Sequence, residues 1–82
     1  MDLNRSEEAW STEFRCYQEI LSKNIKHLRM LKNLSQEKLG FYASVDRTLV
    51  SKIERCLANP TLEILIKIAF CLDVSVTELL KR

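Results

Sequence analysis

Arg47, Thr48, Ser51, Lys52 and Arg55 follow one another at steps of one, three, one and three residues. At helical spacing they share one side of a helix, and Val50 and Ile53 fall on the opposite, apolar side. The chemistry on offer is hydrogen-bond donation from a row of cations and hydroxyls. Arg and Lys donate to guanine edges and to phosphates, and hydroxyls contact either, so the row suits the major groove of B-DNA. A solvated helix face is the plainer alternative, because 29% of the chain is charged.

Two short helices and a turn would hold that row in place. Ser35 can cap the first helix, and Gln36, Glu37 and Lys38 suit its first turn. Leu39 with Tyr42 or Ala43 gives it an apolar side. Val45 ends it, and Asp46 can cap the second, whose N-terminal N–H groups favour a carboxylate.

At these residues the chain resembles the helix-turn-helix of phage-repressor-like (Cro and Xre type) DNA-binding domains, from about Leu21 to Leu80. The resemblance rests on Ser35-Gln36, on Val45, on the series Ser51-Lys52-Ile53-Glu54-Arg55, and on Asn59-Pro60. It implies backbone phosphate contacts for Gln36 and Asn59. Arg47, Thr48, Ser51 and Lys52 would lie nearest to base edges, with Arg55 in either role. It also implies an ion pair, buried or half-buried, between Arg29 and Glu54. Two positions depart from the pattern. Gly40 stands where Ala is usual, at an expected cost of roughly 1 kcal/mol. Cys56 replaces a helix-ending Gly, so the second helix should either run on or end in strain. Asp46-Arg47-Thr48, Ser51 and Glu54-Arg55 are also similar to the controller proteins of restriction-modification systems, which would imply an activator or autoregulator of a few promoters.

Net charge is only +2, but its distribution is uneven. Residues 1–20 set five acids against two bases, and residues 21–55 set eight bases against three acids. A basic middle containing the proposed reading helix is what a phosphate-binding surface requires. With 46% apolar residues, one Gly and one Pro in 82 residues, the composition indicates a single helical domain of modest core. No apolar run reaches the roughly 20 residues of a membrane span. Asp2, Glu7 and Glu8 stand where a secretory signal needs bases and an apolar run, so a cytoplasmic protein is expected. Cys16, Cys56 and Cys71 are scattered and His27 is the lone histidine, so no metal, disulfide framework or other cofactor is expected. No phosphate loop or nucleophile–base set appears, and the chain is not expected to be an enzyme.

Trp10, Phe14, Tyr17, Leu21, Ile25 and Leu28 recur at steps of three or four, continuing a helical stripe back into the N-terminal segment, with Ser6-Glu7-Glu8 as its expected start. Residues 1–20 are therefore either a separate helix or an extension of the first core helix. Their aromatics pack on the domain or meet a partner. The first core helix should turn Ile25, Leu28 and Leu31 inward before Asn33 breaks it and Leu34 buries the turn. After the connector Leu57 to Pro60, Thr61 can cap a fourth helix with Leu62, Leu65, Ile68, Ala69 and Leu72 on its core face. Ser75-Val76-Thr77-Glu78 fits a capping box for a fifth. Ile64, Ile66, Phe70 and Cys71 widen the apolar arc beyond one contact. With Val76 and Leu80 they suggest a homodimer interface.

The expected fold is thus all-α: a compact five-helix phage-repressor-like domain at residues 21–82 with an additional N-terminal helical extension at residues 1–20. The expected function is sequence-specific double-stranded DNA binding by a homodimeric transcriptional regulator. Its helix from about Asp46 to Arg55 would read a palindromic operator, with RNA polymerase a further partner. The alternative is an antitoxin-like helix-turn-helix that grips another protein.

Overall fold

One long helix carries the others. In the computed structural model, which describes the backbone from Leu3 to Arg82 and side chains from Ala9 onward, α1 runs from Leu3 to Leu31. Its 29 residues at 1.5 Å each span about 43 Å, close to the 45 Å long axis of the molecule. No Gly or Pro interrupts this stretch, so its backbone hydrogen-bond ladder has no break. Of the two arrangements open for the N-terminal segment, α1 adopts the extension of the first core helix. It is already helical at Leu3, ahead of the start expected at Ser6-Glu7-Glu8, whose side chains lie outside the described residues.

Four shorter helices follow: α2 (Gln36–Ala43), α3 (Arg47–Glu54), α4 (Leu62–Cys71) and α5 (Val76–Leu79). Three start as their cap residues dictate. Ser35 Oγ accepts from the Lys38 N–H at 3.0 Å, Asp46 Oδ1 from Thr48 at 2.8 Å, and Thr61 Oγ1 from Ile64 at 3.2 Å. The capping box expected at Ser75 does not form. Its hydroxyl meets Thr77 Oγ1 at 2.8 Å, a local hydroxyl partner that competes with the backbone.

Helices α1 to α4 all end in the same way. Asn33, Ser44, Cys56 and Asp73 are left-handed, with φ between 56° and 60°. The next N–H in each case reaches five residues back, from Leu34 to Arg29 O, Val45 to Gly40 O, Leu57 to Lys52 O, and Val74 to Ala69 O, at 2.8–3.1 Å. These bonds satisfy carbonyls that the helix end would otherwise orphan. None of the four is glycine, so Cys56 ends α3 in strain, one of the two outcomes expected for it; an L-residue there costs about 1–2 kcal/mol. The one glycine serves a different purpose. A Cβ on Gly40 would lie 2.6 Å from Val45 O and 3.3 Å from Arg47 Cα, so its absence lets the start of α3 close on α2. The expected gain from Ala at this position is therefore not available.

The core is built from Leu21 and Ile25 of α1, Leu39 and Ala43 of α2, Val50 and Ile53 of α3, Ile68 and Ala69 of α4 with Leu72 just past its end, and Leu79 of α5, with Val45 in the turn. Ala43 rather than Tyr42 is the inward residue of α2, and Tyr42 is exposed. Leu31 is 66% exposed, against expectation, because α1 ends there and the turn sends Leu34 inward instead. Leu62, the first residue of α4, also lies outside the core it was expected to join. Ile64 and Cys71, expected beyond the core face, pack partly against it. Asn24 of α1 fastens α5 by donating to the carbonyls of Leu79 at 3.0 Å and Lys81 at 2.7 Å. No described helix is long and apolar enough to cross a membrane.

Candidate nucleic-acid interface

Burial of Val50 and Ile53 fixes the roll of α3, and Asp46 fixes its start. The opposite face then presents Arg47, Thr48, Lys52 and Arg55 to solvent, with Ser51 half-buried between them. Arg55 folds back along its own helix, Nε to Ser51 O at 3.4 Å. Arg47 is engaged from α2, its Nη1 donating to Glu37 Oε2 at 2.8 Å, and both side chains are about two-thirds exposed. Arg29, Ser35, Gln36, Glu37 and Arg47 line a polar crevice of about 430 Å³ at the start of α2. The N–H groups there and the Arg47 guanidinium favour an anion, and the Glu37 carboxylate opposes one.

Behind this face, Arg29 and Glu54 form a two-pronged pair. Arg29 Nε donates to Glu54 Oε2 at 2.7 Å and Nη2 to Oε1 at 3.0 Å. The same guanidinium donates Nη1 to Leu34 O at 2.8 Å, and Gln36 Nε2 donates to Glu54 Oε1 at 3.1 Å. One carboxylate with a side-chain exposure of 4% thereby ties α1, α2 and α3 together. Donation to the Glu54 carboxylate raises the Arg29 pKa above its ordinary value, against an opposing effect of burial.

The structure brings five of the seven sequence-assigned contact residues onto one helix face. Gln36 is half-buried and turned toward Glu54, and its amide keeps a second N–H beyond the one that bond uses. Asn59 is exposed on the α3–α4 connection, and His27 is exposed on α1. The residues assigned to a dimer surface divide. Ile66 and Phe70 are exposed, Phe70 at 85%, whereas Ile64, Cys71, Val76 and Leu80 pack partly against the domain's own core. Ile66, Phe70, Val74 and Val76 border a hollow of about 200 Å³. Burial and the nearby Asp73 raise the Cys71 thiol, with Lys32 opposing, so it behaves as a small apolar group at neutral pH. On α1, Trp10 is 60% exposed, and its ring lies 6.3 Å from that of Phe14. Among the described residues no three or more His, Cys, Asp or Glu side chains group to hold a metal ion, and the three cysteines are free.

Sequence reasoning missed Glu37, Gln18 and Ser22. Glu37 meets Arg47 only because Gly40 lets the two helices close, which no local pattern announces. Gln18 Nε2 donates to Ala58 O at 3.0 Å, and Ser22 Oγ donates to Glu54 O. Their signal was two polar residues four apart beside the apolar stripe of Phe14, Leu21 and Ile25.

A helix-turn-helix family model (HTH_3) matches residues 25–79. Control protein C.SmaI of Serratia marcescens is 41% identical over 69 residues, covering 84% of this chain and 82% of that protein. Control protein C.BamHI of Bacillus amyloliquefaciens is 37% identical over 62 residues, covering 74% of this chain and 76% of that one. Among solved structures, the restriction-modification controller protein C.AhdI from Aeromonas hydrophila superposes with a TM-score of 0.73 at 35% identity, covering 76% of this chain and 94% of that one.

Proposed function

Because the chain belongs to the Xre/Cro-type helix-turn-helix family of DNA-binding transcriptional regulators, we propose that it reads a palindromic operator in double-stranded DNA as a two-fold homodimer in the cytoplasm. The observation that carries this reading is the α3 face, where five donor side chains are displayed along a helix whose other side is anchored in the core. Arg47, Thr48, Ser51 and Lys52 are the base-reading residues. Gln36 and Asn59 contact phosphates and set register, and Arg55 serves either role.

Phe70 and Ile66 supply the motive for a dimer. Exposed aromatic and branched side chains in adjacent turns of α4 favour a partner surface, and a second copy supplies the same residues in return. Two copies of α3 then enter successive major grooves about 34 Å apart. The likeness to proteins named as control and restriction-modification controller proteins supports a regulatory role; activation or autoregulation of a few promoters, with RNA polymerase as a further partner, is part of the same proposal.

Selection of bound duplexes from random DNA, combined with sedimentation, tests the whole. We expect recovered sites with approximate two-fold symmetry, and affinity that falls steeply with salt. Phe70→Glu should give monomers whose DNA binding falls far more than their helix content. A wild-type protein that is monomeric at tens of micromolar and binds fully to a half-site would overturn the dimer and the palindrome. Affinity for a protein partner with no salt-dependent DNA binding would favour the antitoxin-like reading.

A further inference from the structure

We infer that Gln18 and Ser22, on the part of α1 ahead of the family match at residues 25–79, are positioning residues for DNA binding. They fix the α3–α4 connection and so set where Asn59 meets the phosphate backbone. The inference rests on the proposed phosphate role of Asn59. It gives that role a cause in the N-terminal helix.

The connection needs such support. It leaves α3 through the left-handed Cys56 and must deliver Asn59, exposed, within a few residues. Ser22 is buried on α1 and donates its hydroxyl to Glu54 O, at the last turn of α3. One turn earlier on the same face, Gln18 Nε2 donates to Ala58 O at 3.0 Å, and Cys56 Sγ lies 3.7 Å from Gln18 O. Beside them Phe14, Tyr17 and Leu21 face Ala58 and Pro60 across a small apolar cavity of about 160 Å³.

The Ala58 carbonyl and the Asn59 N–H belong to one planar peptide. A hydrogen bond to that carbonyl therefore orients the plane from which Asn59 departs. On its other side Pro60 restricts Asn59 to extended backbone. Asn59 is thus held from both sides while its side chain stays free. A contact made from fixed backbone loses less ordering entropy on binding than one made from a mobile loop.

The test is a mutant cycle on the full chain: wild type, Asn59→Ala, Gln18→Met and the double variant, titrated against operator and random duplex across a salt series, with melting temperatures and amide spectra for each. Gln18→Met keeps the side-chain length and removes the donor. We expect a melting temperature close to wild type, a displaced Asn59 amide resonance, and a several-fold affinity loss equal for operator and random DNA. The salt slope should stay that of wild type, because Asn59 is uncharged and releases no counterion, and the double variant should bind no more weakly than Asn59→Ala alone. Ser22→Ala, as an independent variant, should show the same sequence-indifferent loss. If the Asn59→Ala and Gln18→Met losses multiply, the positioning role is overturned while the phosphate contact stands. If Asn59→Ala retains wild-type affinity for both duplexes, the phosphate assignment fails, and this inference with it.

Discussion

Arg29 and Arg47 each face a glutamate at hydrogen-bonding distance, and the two pairs do opposite jobs. Glu54 receives two prongs from Arg29 and a third donor from Gln36 with little water in reach. Glu37 receives one prong from Arg47 in a site open to solvent. Breaking the first leaves a charge stranded between three helices; breaking the second leaves two groups that water accepts at once. Chemistry alone does not assign a salt bridge its role, because burial and the number of donors decide whether it can be given up. The Arg29–Glu54 pair behaves as framework. The Arg47–Glu37 pair is exposed and held by a single prong, and under the proposed DNA-reading role it is a resting contact that a phosphate or a guanine would replace.

The largest test of this contrast is Glu54→Gln. Losing one side of a buried pair costs about 3–5 kcal/mol, so chemical denaturation should show a stability loss in that range. An unchanged midpoint would mean that the pair holds nothing together. Next comes Arg47→Ala. Its fold should be intact, and operator affinity should drop by about 1–3 kcal/mol with relaxed sequence preference. An equal loss on operator and random DNA would move Arg47 from base reading to phosphate contact.

How much of this was readable beforehand differs by feature. The starts at Ser35, Asp46 and Thr61 were legible because an N-cap needs only a side-chain acceptor of a known type. The α3 stripe was legible because its period is that of the helix. The helix ends were legible only in part: Asn33 was expected to break α1 and strain at Cys56 was one of two outcomes for α3, whereas nothing marked the left-handed Ser44, a conformation that sequence reasoning assigns to Gly or Asn. The partnership of Arg29 with Glu54 entered through family resemblance alone, because a separation of 25 residues carries no periodic signal. Glu37 could not be found from spacing, as its meeting with Arg47 depends on how closely α2 and α3 approach at Gly40.

Glu37→Gln gives a smaller effect and sharpens the other half of the contrast. An exposed pair contributes under about 1 kcal/mol, so denaturation should barely register its loss. DNA affinity should instead rise, because the change removes a negative charge from the crevice and frees Arg47. The rise should appear on random duplex as well as operator and fade with added salt. A variant that melts earlier and binds no better would place this pair with the framework.

The smallest expected effect is a null in pH, and it separates the framework pair from groups that titrate near neutrality. Glu54 raises the Arg29 pKa above its ordinary value in the fold. A raised folded pKa gives stability that is fully present below the unfolded value, which for arginine already lies far above neutrality, and lost only as pH climbs through the folded one. The contribution of Arg29 should therefore be flat across neutral pH, and wild type and Glu54→Gln should differ by the same amount at pH 6 and pH 9. Paired denaturation curves at the two values check this. A difference that shrinks by half over that span would show that another titrating group carries the coupling assigned to Arg29.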